Sequence, residues 1–281
     1  MSQPAIDLDA FRAFEASGWE SRADPYDRFF GPVTDRVAES LLDAAQVGSG
    51  MKVLDLATGP GYVAGRAASR HANVIGIDIA AAMVALASSR HPGLTFQVAD
   101  AENLPFADET FDAIAGNFVL PHLGQHELAV AEWARVLVPG GMLALSMWDS
   151  PEHNRLLGVV SDAVASVDMS APTGIPTGPP TFQFSPDDAL TGLVGSAGFQ
   201  GPMVERIRFT HPVPDAEQFW HGIVTGSVRT AALFAGQPPD TLSQIRAAFD
   251  RIVSAFAVDG HLEVPVSVKI VSGQKRCRRL P

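Results

Sequence analysis

The sequence predicts an α/β fold in which a parallel sheet is covered by helices on both faces. Three observations carry this. Between Met51 and Trp148, short apolar runs alternate with segments of helical periodicity, the pattern of successive right-handed strand–helix–strand units. One run, Val53-Leu54-Asp55-Leu56, passes into the small-residue loop Ala57-Thr58-Gly59-Pro60-Gly61 and then into a helical pattern. Of the 281 residues, 46% are hydrophobic and 18% charged, which supplies a sizeable core.

Taken in order, residues 1–30 are polar and aromatic, with Phe11, Phe14, Trp19, Tyr26, Phe29 and Phe30. Pro32 opens a helix, because its missing N–H is not needed in a first turn. Val33, Val37, Leu41 and Ala45 then recur at helical spacing. Strands are expected over 53–56, 74–77, 95–98, 111–115 and 142–147, and helices over 62–70, 80–90 and 125–137. The turn Pro139-Gly140-Gly141 introduces the fifth strand, and Asp112 reads as structural at the start of the fourth.

Past Trp148 the periodicity loosens, and the proline-rich stretch 171–186 reads as a loop or lid. Ser185 is expected to cap a helix with Pro186 at its first position and Asp187 and Asp188 in its first turn; Gly198 ends it. A strand over 204–209 follows. Helical pattern then covers 215–256 in two pieces, broken at Gly236-Gln237-Pro238-Pro239, before a final strand over 264–271.

A formal net charge of −11 repels phosphate backbones and argues against nucleic acid as a partner. The basic run Lys275-Arg276-Cys277-Arg278-Arg279 reads as a solvated tail. The N-terminus lacks a basic segment followed by an apolar run, and no apolar stretch reaches the length of a membrane span. Cys277 is the only cysteine, so no intrachain disulfide forms. A cytoplasmic location is expected. The histidines show no metal-ligand spacing, so no metal is expected. No heptad pattern fixes an oligomeric state.

The loop at 57–61 points to a nucleotide-like ligand. Gly59-Pro60-Gly61-Tyr62-Val63-Ala64 fits the dinucleotide fingerprint G-x-G-x-x-G/A, which leaves a nicotinamide-dependent oxidoreductase as a rival reading. Asp55 separates the two. A carboxylate facing a pyrophosphate is repulsive, whereas one facing a sulfonium or ammonium group is attractive, so Asp55 favours S-adenosylmethionine. Ala57, Gly59 and Gly61 let the main chain approach a ligand closely. Asp78, at the end of the second strand, suits a ribose diol, which both cofactors carry. Asp100 and the N–H of Ala101, after the third strand, suit an adenine edge and favour the methyl donor.

The segments VLDLATGPG, GIDIAAAMVALA, VADAENLPFADETFDAI and LAVAEWARVLVPGG, over about residues 51–147, resemble the class I S-adenosylmethionine-dependent methyltransferases, in particular the ubiquinone/menaquinone C-methyltransferase-like branch. The resemblance implies a Rossmann-like, doubly wound sheet of seven strands, the last antiparallel, with a helical cap. It implies that Asp55 and the Ala57, Thr58, Gly59 and Gly61 loop hold the methionine part of the donor. Asp78 would take the ribose with Ile79 beside the adenine, Asp100 and Ala101 the adenine edge, and Asn117 and Phe118 the sulfonium. Ala57 departs from the glycine usual in the broader superfamily, a departure that the quinone-related branch tolerates.

On this reading the chain comprises an N-terminal cap segment (1–32), a donor-binding core (33–150), a lid loop, helix and strand (151–210), a helical cap insertion (211–262) and a final strand with the basic tail (263–281). Methyl transfer from a sulfonium is an in-line displacement that needs alignment and exclusion of water, and a base only where the acceptor loses a proton. His122, just past the fourth strand, is the candidate base; His126, His153 and His221 are weaker ones. The cap carries Phe182, Phe184, Phe219, Trp220, Ile223 and Phe234, which implies a small, hydrophobic, aromatic or quinone-like acceptor. Most of these rings are expected to pack the cap; Trp19 and Tyr26 are the acceptor-site candidates. A second rival keeps the fold and donor but catalyses a non-methylating reaction.

Overall fold

The computed structural model of the chain describes residues 7–169 and 174–277. Its strands are β1 (Lys52–Leu56), β2 (Asn73–Asp78), β3 (Thr95–Val98), β4 (Phe111–Asn117), β5 (Leu137–Trp148), β6 (Phe199–Val213), β7 (Ala257–Val258) and β8 (His261–Lys275). The sheet runs β3-β2-β1-β4-β5-β8-β6, with β7 paired to β8 at the side. The first five strands are parallel to one another, and β8 is antiparallel to both β5 and β6. The expected seven strands with an antiparallel last strand are present, together with the two-residue β7. Strand order reverses between β1 and β4, and open α/β sheets bind ligands at the carboxyl ends of strands at such a point.

The helices are α1 (Leu8–Glu20), α2 (Ala23–Phe29), α3 (Gly31–Ala44), α4 (Tyr62–Ser69), α5 (Ala81–Arg90), α6 (His126–Val136), α7 (Arg155–Ala165), α8 (Asp187–Ser196), α9 (Ala216–Gly226), α10 (Val228–Ala235) and α11 (Pro239–Val253). Alternate residues of each central strand serve opposite faces. Val53, Ala113 and Ala144 pack with α3, α7 and α11; Leu54, Ile114 and Leu143 pack with α6 and α8. Trp133 of α6 is fully buried there and donates from Nε1 to the Ala101 carbonyl at 2.8 Å, fixing the loop after β3. Asp112 accepts from the Lys52 N–H at 2.7 Å, a structural role.

Several elements differ from the sequence reading. Residues 155–165 form α7, whose Leu156, Val159, Val160 and Ala163 are buried at i, i+3, i+4 and i+7, so the periodicity does not lapse after Trp148. Ser185 does not cap α8: Pro186 is the N-cap, and the Ser185 carbonyl instead accepts from the buried Lys269 ammonium. The stretch 215–256 forms three helices, because Ser227 ends α9 and caps α10 by accepting from the Thr230 N–H at 3.3 Å. β6 extends far beyond 204–209 because an edge strand with one solvated face hides its length among charged residues. Of the basic run, Arg278 and Arg279 lie outside the described residues, as does the whole of the N-terminal MSQPAI.

The cap is closed by near contacts. A Cβ on Gly222 of α9 would lie 2.0 Å from the Phe29 ring of α2, so only glycine permits that approach. Phe29 stacks on Phe219, and Trp220 stacks on Phe234, which makes these rings packing groups of the cap. No helix among the described residues is long and apolar enough to cross a membrane.

Candidate active site

A cavity of about 710 Å³ lies between the carboxyl ends of β1, β2, β4 and β5 and a cover made by α1, α2, α7, α10 and residues 175–182. That volume is within the roughly 300–1,000 Å³ usual for small-molecule sites. Of the residues singled out from sequence, Ala57, Gly59, Asp78, Ile79, Asp100, Ala101, Asn117, Phe118, Trp19, Tyr26 and His122 line it. Asp55, Thr58 and Gly61 do not; they stand one layer behind the wall.

Asp55 is fully buried, accepting at Oδ2 from Thr58 Oγ1 at 2.6 Å and the Ala64 N–H at 3.0 Å. Its Oδ1 has no hydrogen-bond partner among the described residues. Burial, foremost, pushes its pKa up to about 7. Its visible work is to brace the loop. Gly61 caps α4 with φ +85°, backed by Ala87 and His91.

Asp78 uses both oxygens on main chain: Oδ2 accepts from Gly59 N–H at 2.9 Å and Oδ1 from Ala80 N–H at 3.0 Å. Each oxygen keeps a lone pair for a ligand hydroxyl. Burial raises its pKa to about 6, against the opposing pull of those N–H donors. A Cβ on Gly59 would meet nothing nearer than Tyr26 Cε1 at 3.9 Å, so the main chain there borders open space. Asp100 accepts from the Glu102 N–H at 2.8 Å and lies 3.2 Å from the Arg12 guanidinium.

Two wall residues hold left-handed backbone without being glycine: Ala57 at φ +49° and Phe118 at φ +59°. They sit at the ends of β1 and β4, the two strands flanking the switch point. Ser146 ties the second corner, donating to Asn117 Oδ1 at 2.6 Å and accepting from the Phe118 N–H at 2.9 Å. Phe118 stacks on Trp148 with centroids 3.9 Å apart.

On the cover side, Glu15 of α1 is 2% exposed. Its Oε2 receives Trp19 Nε1 at 3.0 Å and lies 3.0 Å from His122 Nδ1. Its Oε1 has no partner among the described residues. Trp19 meets the His122 ring edge-on at 5.0 Å and the Tyr26 ring at 5.3 Å. Burial pushes the Tyr26 hydroxyl up to about 12, so it stays protonated at neutral pH.

The other histidines do not join this group. His126 is 5% exposed, bonds the Leu120 carbonyl at 2.9 Å and is held below its usual pKa by burial. His153 and His221 are exposed away from the cavity. Among the described residues no cluster of three or more His, Cys, Asp and Glu could hold a metal. Sequence reasoning missed Glu15, Arg12 and Arg229, which also line the cavity. The spacing of Glu15 and Trp19 on one helix face was visible, but nothing local links Glu15 to His122, 107 residues away.

Comparisons with known proteins agree with this architecture. Residues 54–145 match the family described as Methyltransferase domain. The chain is 36% identical over 118 residues to a demethylmenaquinone methyltransferase of Paenarthrobacter aurescens, covering 42% of this chain and 47% of that one. It spans about half the length of the curated relatives of this kind that it matches. Among solved structures, YcgJ of Bacillus subtilis aligns over 86% of this chain and 98% of its own, with TM-score 0.56 and 21% identity. Phosphoethanolamine N-methyltransferase 2 of Haemonchus contortus, solved with S-adenosylhomocysteine, aligns over 86% of this chain and 52% of its own, with TM-score 0.51 and 18% identity. Over residues 54–145 the chain is therefore similar to a methyltransferase domain, and it shares its fold with the solved structures. Over that stretch it resembles the demethylmenaquinone methyltransferases.

Proposed function

We propose that this protein transfers a methyl group from S-adenosylmethionine to a small, largely hydrophobic organic acceptor whose reacting atom gives up a proton to His122. The observation that supports it best is the single cavity shared by the strand-end loops and the Glu15–His122 pair.

The residues present fit the donor. Open space beside Gly59 leaves room for a ligand against main chain, and Asp78 and Asp100 put two carboxylates on the wall. Asp78 would hold the ribose hydroxyls, Ile79 and Met83 would flank the adenine, and Asp100 with the Ala101 N–H would read its edge. Ala101 keeps that N–H for the purpose, since Trp133 occupies only its carbonyl. The Ala57–Gly61 main chain would hold the methionine part, stiffened by Asp55 from behind, and Asn117 and Phe118 would flank the sulfonium. Bound there, S-adenosylmethionine supplies an electrophilic methyl on a good, neutral leaving group.

The chain's own part is alignment, dryness and proton removal. Trp19, Tyr26, Phe30 and Phe182 cover the cavity with rings and exclude water. With Glu15 accepting from Nδ1–H of His122, Nε2 is left as the basic nitrogen. The names of the menaquinone-related relatives support an aromatic or quinone-like acceptor.

Calorimetry with S-adenosylhomocysteine and with reduced nicotinamide dinucleotide tests the donor. Binding of the second alone refutes the proposal. A screen of phenols, naphthols and quinols with methyl-labelled donor tests the reaction. Product lacking label, with the donor unconsumed, would assign the fold to non-methylating chemistry.

A further inference from the structure

We propose that Arg229 is an anion anchor in the acceptor half of the cavity, so that the acceptor is an acid: an aromatic or similarly flat molecule carrying a carboxylate beside the group that reacts. This rests on the reading that the cavity holds donor and acceptor together, and it narrows the acceptor class.

Arg229 stands in the first turn of α10, two residues after the Ser227 cap, and lines the cavity. Its guanidinium has five N–H donors. Among the described residues it makes one hydrogen bond, from Nη1 to the Pro179 carbonyl at 2.9 Å, and lies 5.6 Å from the Phe11 ring centroid. These contacts hold the side chain without neutralising it. No carboxylate of the described residues reaches it at ion-pair distance, and none of the remaining residues is Asp or Glu.

Three other arginines near the cavity are paired with carboxylates. Arg12, which also lines the cavity, lies 2.9 Å from Glu102 and 3.2 Å from Asp100; Arg90 lies 2.7 Å from Asp27; Arg155 lies 2.6 Å from Asp162. Burial pulls Arg229 below the ordinary arginine pKa, with the more distant charge of Glu15 acting against it. A partly desolvated cation with spare donors is costly unless something completes it, and planar bidentate recognition of a carboxylate is what guanidinium geometry favours.

The wall opposite explains why such a device is needed. Asp78 and Asp100 make the strand-end half of the cavity acidic, which suits a cationic donor and repels an anionic acceptor. The chain as a whole carries −11. An acid enters and stays only where a local cation receives it, which also keeps the acceptor in its own half.

The test is calorimetry on the full chain saturated with S-adenosylhomocysteine, using 2-naphthoate and salicylate, each against its neutral carboxamide. The acids are expected to bind at least about tenfold more tightly than their amides. Arg229→Gln should erase that lead while leaving S-adenosylhomocysteine affinity within about twofold, and Arg229→Lys should keep part of it. Equal binding of acid and amide overturns the proposal. So does a lead that survives Arg229→Gln, or the failure of both acids to bind while S-adenosylhomocysteine does. If S-adenosylhomocysteine itself does not bind, the donor reading falls, and the acid–amide ratio in the ligand-free protein still decides the anchor. Thermal melting of each variant separates loss of the anchor from loss of the fold.

Discussion

On the sheet side of the cavity the wall is main chain, held in place by acceptors behind or within it: Asp55 on Thr58 and Ala64, Asp78 on Gly59 and Ala80, Ser146 on Phe118. On the cover side the wall is side chains brought from α1, α2, α7, α10 and the loop at 175–182, with Glu15 joining Trp19 to His122 and Arg229 without a carboxylate partner among the described residues. The sheet side is fixed by contacts between neighbours in the sheet, and the cover side by contacts between segments far apart in sequence. A half built of main chain and a half built of side chains suit the proposed pairing of a donor common to many enzymes with an acceptor particular to each.

The largest expected effect breaks the cover side alone. His122→Ala should lower turnover about 100- to 10,000-fold, the usual contribution of a placed general base. S-adenosylhomocysteine affinity should fall far less than turnover, since His122 is proposed to meet the acceptor and reaches the donor site only through its charge on Asp78. Turnover unchanged at every pH would remove His122 from the mechanism. Glu15→Gln gives a finer reading. Nitrogen-15 shifts of the His122 ring should show Nδ1 protonated and Nε2 bare in the parent, and a mixture of tautomers in the variant, because an amide can donate as well as accept. The same pure tautomer in both proteins would mean that Glu15 does not orient the ring.

The corresponding break on the sheet side is Asp78→Ala. Two hydroxyl contacts to a carboxylate at about 1.5 kcal/mol each amount to roughly 100-fold in donor affinity. The change also leaves the Gly59 and Ala80 N–H groups without acceptors, so stability should fall by about 1–3 kcal/mol for each that stays buried. Because the Asp78 pKa lies at about 6 in the free protein, affinity for S-adenosylhomocysteine should be level above pH 7 and fall roughly tenfold per pH unit below 6. A flat profile in calorimetry would take the ionised carboxylate out of donor binding.

The two sides also differ in how far the sequence reveals them. The core strands, the loop at 57–61 and the acids at 78 and 100 follow from apolar runs ending in small or acidic residues, signals that span a few positions. Even there the legibility is partial: Asp55 was readable as a functional acid, but that it faces inward to Thr58 and Ala64 depends on how the loop folds back. The cover was readable only as aromatic. Glu15, His122 and Arg229 come from three segments, and no local periodicity specifies which side chain meets which. Ser185 shows the limit at a single residue: its type suits a cap, yet the buried Lys269 claims its carbonyl and the helix starts later.

Asp55→Asn tests how the sheet side is braced, with a smaller effect. The Asp55 pKa is raised to about 7 by burial. The stability that its protonated form contributes is fully present below the ordinary carboxylate pKa and is lost as pH rises through about 7. Between pH 8 and pH 5 the parent should therefore gain about 2–3 kcal/mol relative to Asp55→Asn, which does not titrate. Denaturant melts at the two pH values give the difference. Parallel pH profiles would mean that Asp55 is not desolvated as its position implies.

The smallest effect separates two residues with the same backbone and different surroundings. Ala57 and Phe118 both hold positive φ, at +49° and +59°. A left-handed conformation costs an L-residue about 1–2 kcal/mol, and glycine avoids that at an entropic cost of about 0.5–1 kcal/mol. Ala57→Gly removes one methyl group and should raise stability by up to about 1 kcal/mol, read as a melting point higher by a few degrees. Phe118→Gly relieves the same strain but deletes a buried ring stacked on Trp148, so the lost packing, about 3–5 kcal/mol for a buried phenylalanine, outweighs the relief. If Ala57→Gly destabilises, the corner at β1 is held by contacts of its methyl group rather than strained. The main-chain wall would then depend on side chains as the cover does, and the contrast between the two halves would weaken at its most sensitive point.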